Sequence, residues 1–248
     1  MTGQDDWDGH WEQYADSAGS NPAQQFRREL VIDRLAAPPR ARILDIGSGQ
    51  GDLAALLSSE IPDTEIVGLE LSASGVKFAA AKVPTADFVQ VDLLARDARV
   101  ERYSHWATHV TCSEVLEHVD DPIRLLSAGL RHAAPGARVV VTVPGGPRTA
   151  FDKYIGHRRH YGRKALRQLL EDSGLEVERC DAAGFPFFNL YRLAVLACGK
   201  RVIVDERHGS RNAAGSKVLA IFGVLFKANL RRGPLGWQIV AVGRVPID

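Results

Sequence analysis

The chain has 248 residues, of which 45% are apolar and 25% charged, and its formal net charge is +1. This composition excludes a wholly disordered chain, and the near-neutral charge excludes a polycation that binds nucleic acid through charge alone. The three cysteines, Cys112, Cys180 and Cys198, lie far apart without a CxxC pair. A disulfide framework and a cysteine zinc site are therefore excluded, and a reducing cytoplasm is indicated.

Charge is divided unevenly between the two parts of the chain. Residues 1–150 carry 14 Lys/Arg and 21 Asp/Glu, a balance of −7, whereas residues 151–248 carry 17 and 9, a balance of +8. This asymmetry indicates either an anionic partner for the C-terminal part or a basic solvated surface. The N-terminus is acidic and aromatic and has neither a basic nor an apolar leader region. We therefore expect no secretion signal.

Strand and helix signals alternate along most of the chain. A helix is predicted from Asn21-Pro22 to Pro38-Pro39, where Asn caps and proline ends it. Strands are predicted at Ala41–Gly47, Glu65–Leu71, Ala86–Leu93, His109–Ser113, Ala137–Pro144, Glu176–Ala183 and Trp237–Val245. Helices are predicted at Gln50–Glu60, Ser72–Lys82, Asp121–Ala134 and Arg163–Ser173. Such alternation is typical of a parallel sheet covered by helices on both faces.

A glycine-rich loop, Gly47-Ser48-Gly49-Gln50-Gly51, joins the first strand to the following helix. Glycines allow close approach of a ligand, and a helix N-terminus offers free N–H groups. Glu70 ends the next strand, where an acid can accept hydrogen bonds from both ribose hydroxyls. The dinucleotide pattern GxGxxG would place its third glycine at position 52, but that residue is Asp52.

Five motifs in order resemble the class I S-adenosylmethionine-dependent methyltransferases: ILDIGSGQG, GLELS, VQVDL, CSEVLEHVDDP and GARVVVTVP. The final segment WQIVAVGRV is similar to the family's last, antiparallel strand. The resemblance implies a Rossmann-like α/β fold with a seven-stranded, mostly parallel sheet. The expected organisation is an N-terminal flap and helix (1–40), a catalytic domain (41–184 and 236–248) and an apolar helical insert (185–235).

The resemblance also implies how S-adenosylmethionine would be held at the loop. Gly47, Ser48, Gly49 and Gly51 would hold the amino-acid part of the cofactor. Asp45 would orient that part, and the backbone of Ser113 would meet its methionine portion. Arg28 could neutralise the cofactor carboxylate, and a solvated helix face is the alternative.

The nucleoside part would contact residues that end the second and third strands. The resemblance implies that Glu70 holds the ribose diol, that Leu71 and Leu93 pack on the adenine, and that Asp92 accepts a bond from the adenine amino group. Simple core roles for the two leucines, and a turn-capping role for Asp92, are the alternatives.

Candidate catalytic residues follow the fourth and fifth strands. His118 would share a helix face with the proposed substrate-binding Glu114 if 114–118 forms one helical turn. The segment GHRRHYGRK contains His157, His160 and Tyr161, which are candidates for a general base. Its Arg158 and Arg159 are suited to an anionic acceptor, and a solvated basic loop is the alternative. No metal site is predicted.

Two segments within 185–235 are unusually apolar, FPFFNLYRLAVLACGKRVIV and KVLAIFGVLFKANLRR. Arg192, Lys200 and Arg201 interrupt the first, and Lys217 and Lys227 bracket only nine residues of the second, so neither is predicted to span a bilayer. They are expected to form either a lid over an apolar acceptor or an element lying in a membrane interface. The expected location is cytoplasmic, including the inner membrane face.

The predicted function is methylation of a small or lipid-like acceptor, with oxygen as the favoured target and an anionic group on the substrate. An NAD(P)-dependent oxidoreductase and a non-catalytic S-adenosylmethionine-binding protein are the alternatives. A nucleic-acid partner is not expected, since SEVLEH stands where base methyltransferases carry an aromatic dipeptide beside proline.

Overall fold

The computed structural model describes residues 7–9, 11, 21–96, 98, 100–148, 150–198 and 213–247. Seven strands form one sheet: β1 (Arg42–Ile46), β2 (Glu65–Glu70), β3 (Asp87–Gln90), β4 (Ala107–Ser113), β5 (Ala133–Pro144), β6 (Glu176–Ala183) and β7 (Gln238–Arg244). Their spatial order is β3-β2-β1-β4-β5-β7-β6. β7 runs antiparallel to both β5 and β6, and β1 to β5 are mutually parallel. The predicted fold class is confirmed.

Helices flank both faces of the sheet. They are α1 (Pro22–Leu35), α2 (Asp52–Glu60), α3 (Ala73–Lys82), α4 (Pro122–Leu130), α5 (Ala150–Tyr154), α6 (Arg163–Asp172), α7 (Phe187–Cys198) and α8 (Ala213–Phe226). One apolar layer packs beneath α4 and α6, and a second packs between the sheet and α1 and α2. Alternate residues of β1 belong to opposite layers, Ile43 to the second and Leu44 to the first, as expected for a strand buried on both faces.

Side-chain caps fix where three helices begin. The Asn21 carboxamide accepts a hydrogen bond from Ala23 N at 2.9 Å, with Pro22 in the first turn of α1. Ser72 Oγ accepts from Gly75 N at 2.9 Å at the start of α3, and Asp121 accepts from Arg124 N at 3.1 Å at the start of α4. These caps satisfy amides that have no partner within the helix.

Two predicted boundaries between α4 and β5 are wrong. α4 ends at Leu130 instead of Ala134, and β5 begins at Ala133 instead of Ala137. The buried imidazole of His132 bonds the Gly129 carbonyl at 3.0 Å and accepts from Val100 N at 3.1 Å. The helix therefore ends about one turn before the predicted boundary. The chain enters the sheet at Ala133, which pairs with Ala107.

The apolar segment before β7 forms two helices, α7 and α8. Aromatic rings of both pack on Phe26 of α1, with ring centroids 5.6 Å from Phe188 and 5.8 Å from Phe226. Lys200 and Arg201, expected to interrupt the first apolar segment, lie outside the described residues. Among the helices described, none combines the length and apolar character that crossing a bilayer requires.

Candidate functional site

The glycine loop turns sharply between β1 and α2. Gly47, Gly49 and Gly51 have φ of 71°, 53° and 80°, a region that side chains disfavour. A Cβ at Gly47 would lie 2.4 Å from a methyl of Val115, and a Cβ at Gly49 would lie 2.7 Å from the Trp11 indole. Conformation and space therefore both require glycine at these two positions.

Two buried acids stand beside the loop. The Glu70 carboxylate, only 7% exposed, accepts hydrogen bonds from Gly49 N at 2.8 Å and Ser72 N at 2.9 Å. Asp45 accepts from Thr111 Oγ1 at 2.7 Å. Burial raises the pKa of Glu70 and raises that of Asp45 to about 7. Glu70 thus joins the glycine loop to the start of α3.

The other expected cofactor residues surround these acids. Ser48 is buried, and its N–H donates to the Leu69 carbonyl at 3.3 Å. Ser113 Oγ lies 2.8 Å from Thr142 Oγ1 at the ends of β4 and β5. Arg28 lies 3.8 Å from the Asp52 carboxylate, one residue beyond the loop. The sequence interpretation did not consider this pairing.

Asp92 and the two leucines lie at the ends of β2 and β3. Asp92 is exposed and accepts from Leu94 N at 2.9 Å, so it caps its own turn in this structure. Leu93 is buried in the layer beneath α4, and Leu71 is half-buried. Adenine contact by these three residues stays a prediction.

Part of the N-terminal segment covers the loop. The Trp11 indole lies where a Cβ at Gly49 or Gly75 would stand, and Asp8 accepts from Ser72 Oγ at 2.5 Å and Ser74 N at 3.0 Å. The Trp7 ring is 6.4 Å from that of Trp11. A flap that closes over a bound cofactor stays a prediction for this segment.

Three histidines converge beyond the flap. The His118 ring is 4.8 Å from Trp7 and 4.7 Å from His157. His157 Nδ1 lies 3.1 Å from His160 Nε2, and His160 Nδ1 lies 3.2 Å from the Gly146 carbonyl. We call His118, His157 and His160 the histidine cluster. Trp7 and Trp11 connect it to the glycine loop through ring contacts.

Buried acids and an arginine adjoin the histidine cluster. Glu117 is fully buried, and its Oε1 lies 3.9 Å from His118 Nε2 and 4.0 Å from His157 Nε2. Asp152 lies 3.5 Å from His160 Nε2 and is bonded at 2.9 Å by Arg192 of α7. Burial and the neighbouring rings of His118 and His160 lower the pKa of His157 to about 2. His157 is therefore neutral at physiological pH.

The expected pairing of Glu114 with His118 is wrong. Only Leu116–His118 forms a helical turn, and Glu114 has a left-handed φ of 59°. Its carboxylate instead bonds Gln238 Nε2 at 2.7 Å and lies 3.2 Å from Arg27 Nε. The acid beside His118 is Glu117, which the sequence analysis did not single out although it stands in the same motif.

The other predicted site residues of the 156–164 segment connect this segment to the loop that follows β4. Tyr161 is buried, its hydroxyl donates to the Leu116 carbonyl at 3.1 Å, and burial raises its pKa to about 12. Arg158 pairs with Asp120, and Arg159 donates to the carbonyls of Val119 and Asp120 at 3.2 and 3.0 Å. The guanidinium groups thus contact the loop after β4 in this structure.

Three further residues at the site were missed or only partly anticipated: Asp152, Arg192 and Arg27. Arg192 had been noted only as a charge interrupting an apolar segment, and Asp152 lies in α5, where no helix was predicted. A lone charge within a buried helix was the available signal, because such charges are usually paired. Although no metal site was predicted, the described residues contain two groups that could hold an ion: Glu117, His118 and His157, and Asp152, His157 and His160.

A family model described as methyltransferase domain matches residues 23–179, which is more than half of the chain. The chain belongs to this family. Solved methyltransferases of similar fold, 15–17% identical to this chain and aligned with TM-scores of 0.57–0.58, contain S-adenosylmethionine or its product S-adenosylhomocysteine.

Individual members of the methyltransferase family match over part of their length. Trans-aconitate 2-methyltransferase of Streptomyces avermitilis is 29% identical over 175 residues, covering 69% of this chain and 63% of that protein. Ubiquinone biosynthesis O-methyltransferase of Paracidovorax citrulli is 33% identical over 111 residues, covering 44% and 45%. The chain spans between 40% and 63% of the length of seven relatives that are named methyltransferases.

The structure of the [4+2]-cyclase SpnF has a similar fold. It aligns with a TM-score of 0.62 at 19% identity and covers 89% of this chain and 80% of that one. This likeness concerns the fold alone, and the acceptor must be inferred from the site.

Proposed function

We propose that this protein transfers the methyl group of S-adenosylmethionine to a hydroxyl oxygen of a small acceptor held at the histidine cluster. The observation that carries the proposal is a continuous series of contacts between the two sites. The Trp11 indole lies against Gly49, and the rings of Trp11, Trp7, His118 and His157 contact one another in that order. This series links the glycine loop, which is suited to the cofactor, with the histidine cluster. Among the described residues, the cluster is best suited to take a proton from the acceptor.

The residues at the loop fit the cofactor. Three left-handed glycines leave the loop without side chains, so that a ligand can approach its backbone closely, and Glu70 is a buried acid at the end of β2 that accepts a hydrogen bond from Gly49 N of that loop. Glu70 would exchange its hydrogen bonds from backbone N–H groups for hydrogen bonds from the ribose diol. Asp45, which is buried beside the loop, would hold the loop in position. The bound cofactor supplies a methyl group already activated as a sulfonium.

The acceptor site must then align an oxygen and remove its proton. Alignment alone contributes roughly 7–11 kcal/mol in well-oriented intramolecular reactions, and proton transfer contributes about 10²–10⁴-fold in rate. The histidine cluster offers nitrogen lone pairs beside two carboxylates, and Trp7 excludes solvent from one side. An amine acceptor would need less assistance with its proton, so this arrangement favours oxygen.

We further propose that the acceptor carries an anionic group. Arg158 would exchange its contact with Asp120 for a carboxylate or phosphate. The name of trans-aconitate 2-methyltransferase, among the relatives, indicates an anionic acceptor. Replacing Arg158 with Gln should raise the KM for anionic acceptors about tenfold and leave the KM for neutral ones unchanged. Equal effects on both kinds would contradict the anionic acceptor.

The cofactor is tested by calorimetric titration with S-adenosylhomocysteine. We expect micromolar binding that is weakened at least tenfold in Glu70→Ala. The matched control is Glu65→Ala, since Glu65 is exposed at the start of the same strand. Binding of a nicotinamide nucleotide in place of S-adenosylhomocysteine by folded wild type would overturn the proposal.

The acceptor atom is tested by following S-adenosylhomocysteine formation with a panel of alcohols, phenols and amines, each with and without a carboxylate. We expect turnover with hydroxyl compounds, and a fall of about 10²-fold or more in kcat/KM for His157→Gln with unchanged S-adenosylhomocysteine affinity. His109→Gln, at the other end of β4, is the control. Turnover of amines alone would contradict O-methylation, and cofactor binding without turnover would favour a non-catalytic binding protein.

A further inference from the structure

Glu117 is an acidic side chain buried beside the histidine cluster. Its side chain is 0% exposed, and neither oxygen accepts a hydrogen bond from any residue that the structure describes. Burying a carboxylate in this way is strongly unfavourable unless a cation or a proton donor faces it. The nearest candidate partners are the Nε2 atoms of His118 and His157, at 3.9 and 4.0 Å.

The hydrogen bonds within the histidine cluster determine which ring nitrogen of His157 carries a proton and which one faces Glu117 with a lone pair. The Gly146 carbonyl can only accept, so His160 Nδ1 donates to it at 3.2 Å. With neutral rings, His160 Nε2 then accepts the bond of 3.1 Å from His157 Nδ1. This assignment follows from the network, and it leaves a lone pair on His157 Nε2, on the side of Glu117.

The separation of these atoms is too long for a shared proton. Hydrogen bonds between such atoms span about 2.7–3.2 Å, whereas His157 Nε2 and Glu117 Oε1 are 4.0 Å apart. A single metal ion about 2.0–2.2 Å from each ligand would bridge them after inward movements of roughly 0.5 Å. The ligand atoms of Glu117, His118 and His157 already lie within 4.8 Å of one another.

We propose that Glu117, His118 and His157 bind one divalent transition-metal ion, with Zn²⁺ as the representative ion. Two imidazole nitrogens and one carboxylate form a donor set typical of zinc and related first-row ions, whereas magnesium prefers oxygen ligands. Three protein ligands leave a coordination position open, as in catalytic zinc sites.

Contacts around the three ligands support this arrangement. A ligating histidine usually donates its other ring N–H to a neighbouring group, and His157 Nδ1 bonds His160 in this way. The Glu117 carbonyl accepts from Arg158 N at 2.8 Å, and Tyr161 bonds the adjacent Leu116 carbonyl. The loop after β4 is therefore held in place by the segment that supplies His157.

The open position would receive the acceptor oxygen, and the ion, by lowering the pKa of that oxygen, would assist the loss of its proton in place of the lone pairs of His118 and His157. This role rests on the proposed function. The binding of the ion does not rest on the proposed function, since it requires neither cofactor nor acceptor. A failure of one proposal is therefore distinguishable from a failure of the other.

The test is calorimetric titration of the full chain, freed of metal by a chelator, with Zn²⁺ alone, accompanied by the visible absorption of the Co²⁺ adduct. We expect one equivalent to bind with micromolar or tighter affinity and a Co²⁺ spectrum typical of tetrahedral nitrogen and oxygen ligation. Both Glu117→Gln and His157→Gln should weaken binding at least 100-fold. His109→Gln, outside the cluster, should bind as wild type does.

Folding of each variant is checked by circular dichroism and by the midpoint of urea unfolding. His157→Gln tests the proposal independently if Glu117→Gln does not fold, because His157 lies in a connecting segment. No Zn²⁺ binding by folded wild type would overturn the proposal, as would equal binding by wild type and His157→Gln. Zn²⁺ binding with loss in the variants, but no S-adenosylhomocysteine binding, would support the metal site and overturn the proposed function.

Discussion

Glu114 and Glu117 are three residues apart in one motif, yet their carboxylates have opposite surroundings. Glu114 adopts a left-handed φ, which turns its side chain toward Arg27 and Gln238. Glu117 follows in a short helical turn and is directed into the interior beside two histidines. A single backbone angle thus decides which acid becomes part of the candidate site.

Asp45 gives a prediction at the residue scale, because burial raises its pKa to about 7. The folded state holds this proton up to about pH 7, while the unfolded chain releases it near pH 4. Relative to Asp45→Asn, wild-type stability is therefore greatest below pH 4 and falls as pH rises through 7, by about 2–4 kcal/mol in total. Urea unfolding of both proteins from pH 4.5 to 8, without cofactor, measures this difference.

The control for Asp45 is Asp63→Asn, an acid exposed in the turn before β2. Its stability difference from wild type should stay within 0.5 kcal/mol at every pH, as for most exposed substitutions. A pH-independent difference for Asp45→Asn would show that Asp45 titrates normally in the folded protein.

Helix α7 gives a prediction at the element scale. Its first amides, Phe187 N and Phe188 N, donate to the Asn229 carboxamide at 2.8 and 3.2 Å, from a residue 42 positions later in the chain. Asn229→Ala should destabilise the protein by about 1–3 kcal/mol, because Phe187 N loses its acceptor and Phe188 N keeps only the Gly184 carbonyl, at 2.9 Å. Asn229→Asp keeps the acceptor and should stay near wild type.

The measurement for Asn229 combines urea unfolding with hydrogen exchange of the Phe187 and Phe188 amides. Exchange should accelerate in Asn229→Ala and remain slow in Asn229→Asp. If protection is equal in the two variants, the carboxamide does not hold the start of α7.

At the scale of the whole molecule, one aromatic cluster joins α1, α7 and α8. Phe226 is 5% exposed, and its ring centroid is 5.9 Å from that of Phe188. Phe226→Ala should therefore cost about 3–5 kcal/mol through the cavity it leaves. Val224→Ala, at a 68% exposed site on the same helix, should change stability by less than about 0.5 kcal/mol. Equal midpoints of thermal unfolding for the two variants would show that α8 packs only weakly.

The region of α7 and α8 also carries most of the exposed large apolar side chains described. They are Phe185, Leu190, Leu193, Ile221, Val224, Leu230 and Leu235. Because Arg192 of α7 reaches Asp152 beside the histidine cluster, one face of this region contributes to the candidate acceptor site. The prediction of a lid and the prediction of a membrane-interface element remain to be separated, and flotation with anionic vesicles measures the latter.

Local sequence patterns predict the order of the strands, the helices other than α5, the glycine loop, the acid that ends β2 and the family. These depend on local rules: apolar strands ending in glycine, helix caps, and backbone conformations that only glycine adopts readily. The errors at α4 and β5 arose where the buried His132 ring overrides local helix preference.

Only the tertiary structure decided which polar side chains meet. Glu117, Arg192 and the neighbouring pair Asp152 and His157 come from three separate segments, and no spacing rule links those segments. Their convergence depends on the parallel sheet, which brings the connections after β4 and β5 to one edge, and on the packing of α7 against α1. Contacts between distant segments follow from that packing, so the histidine cluster and its buried acids could not be derived from local pattern.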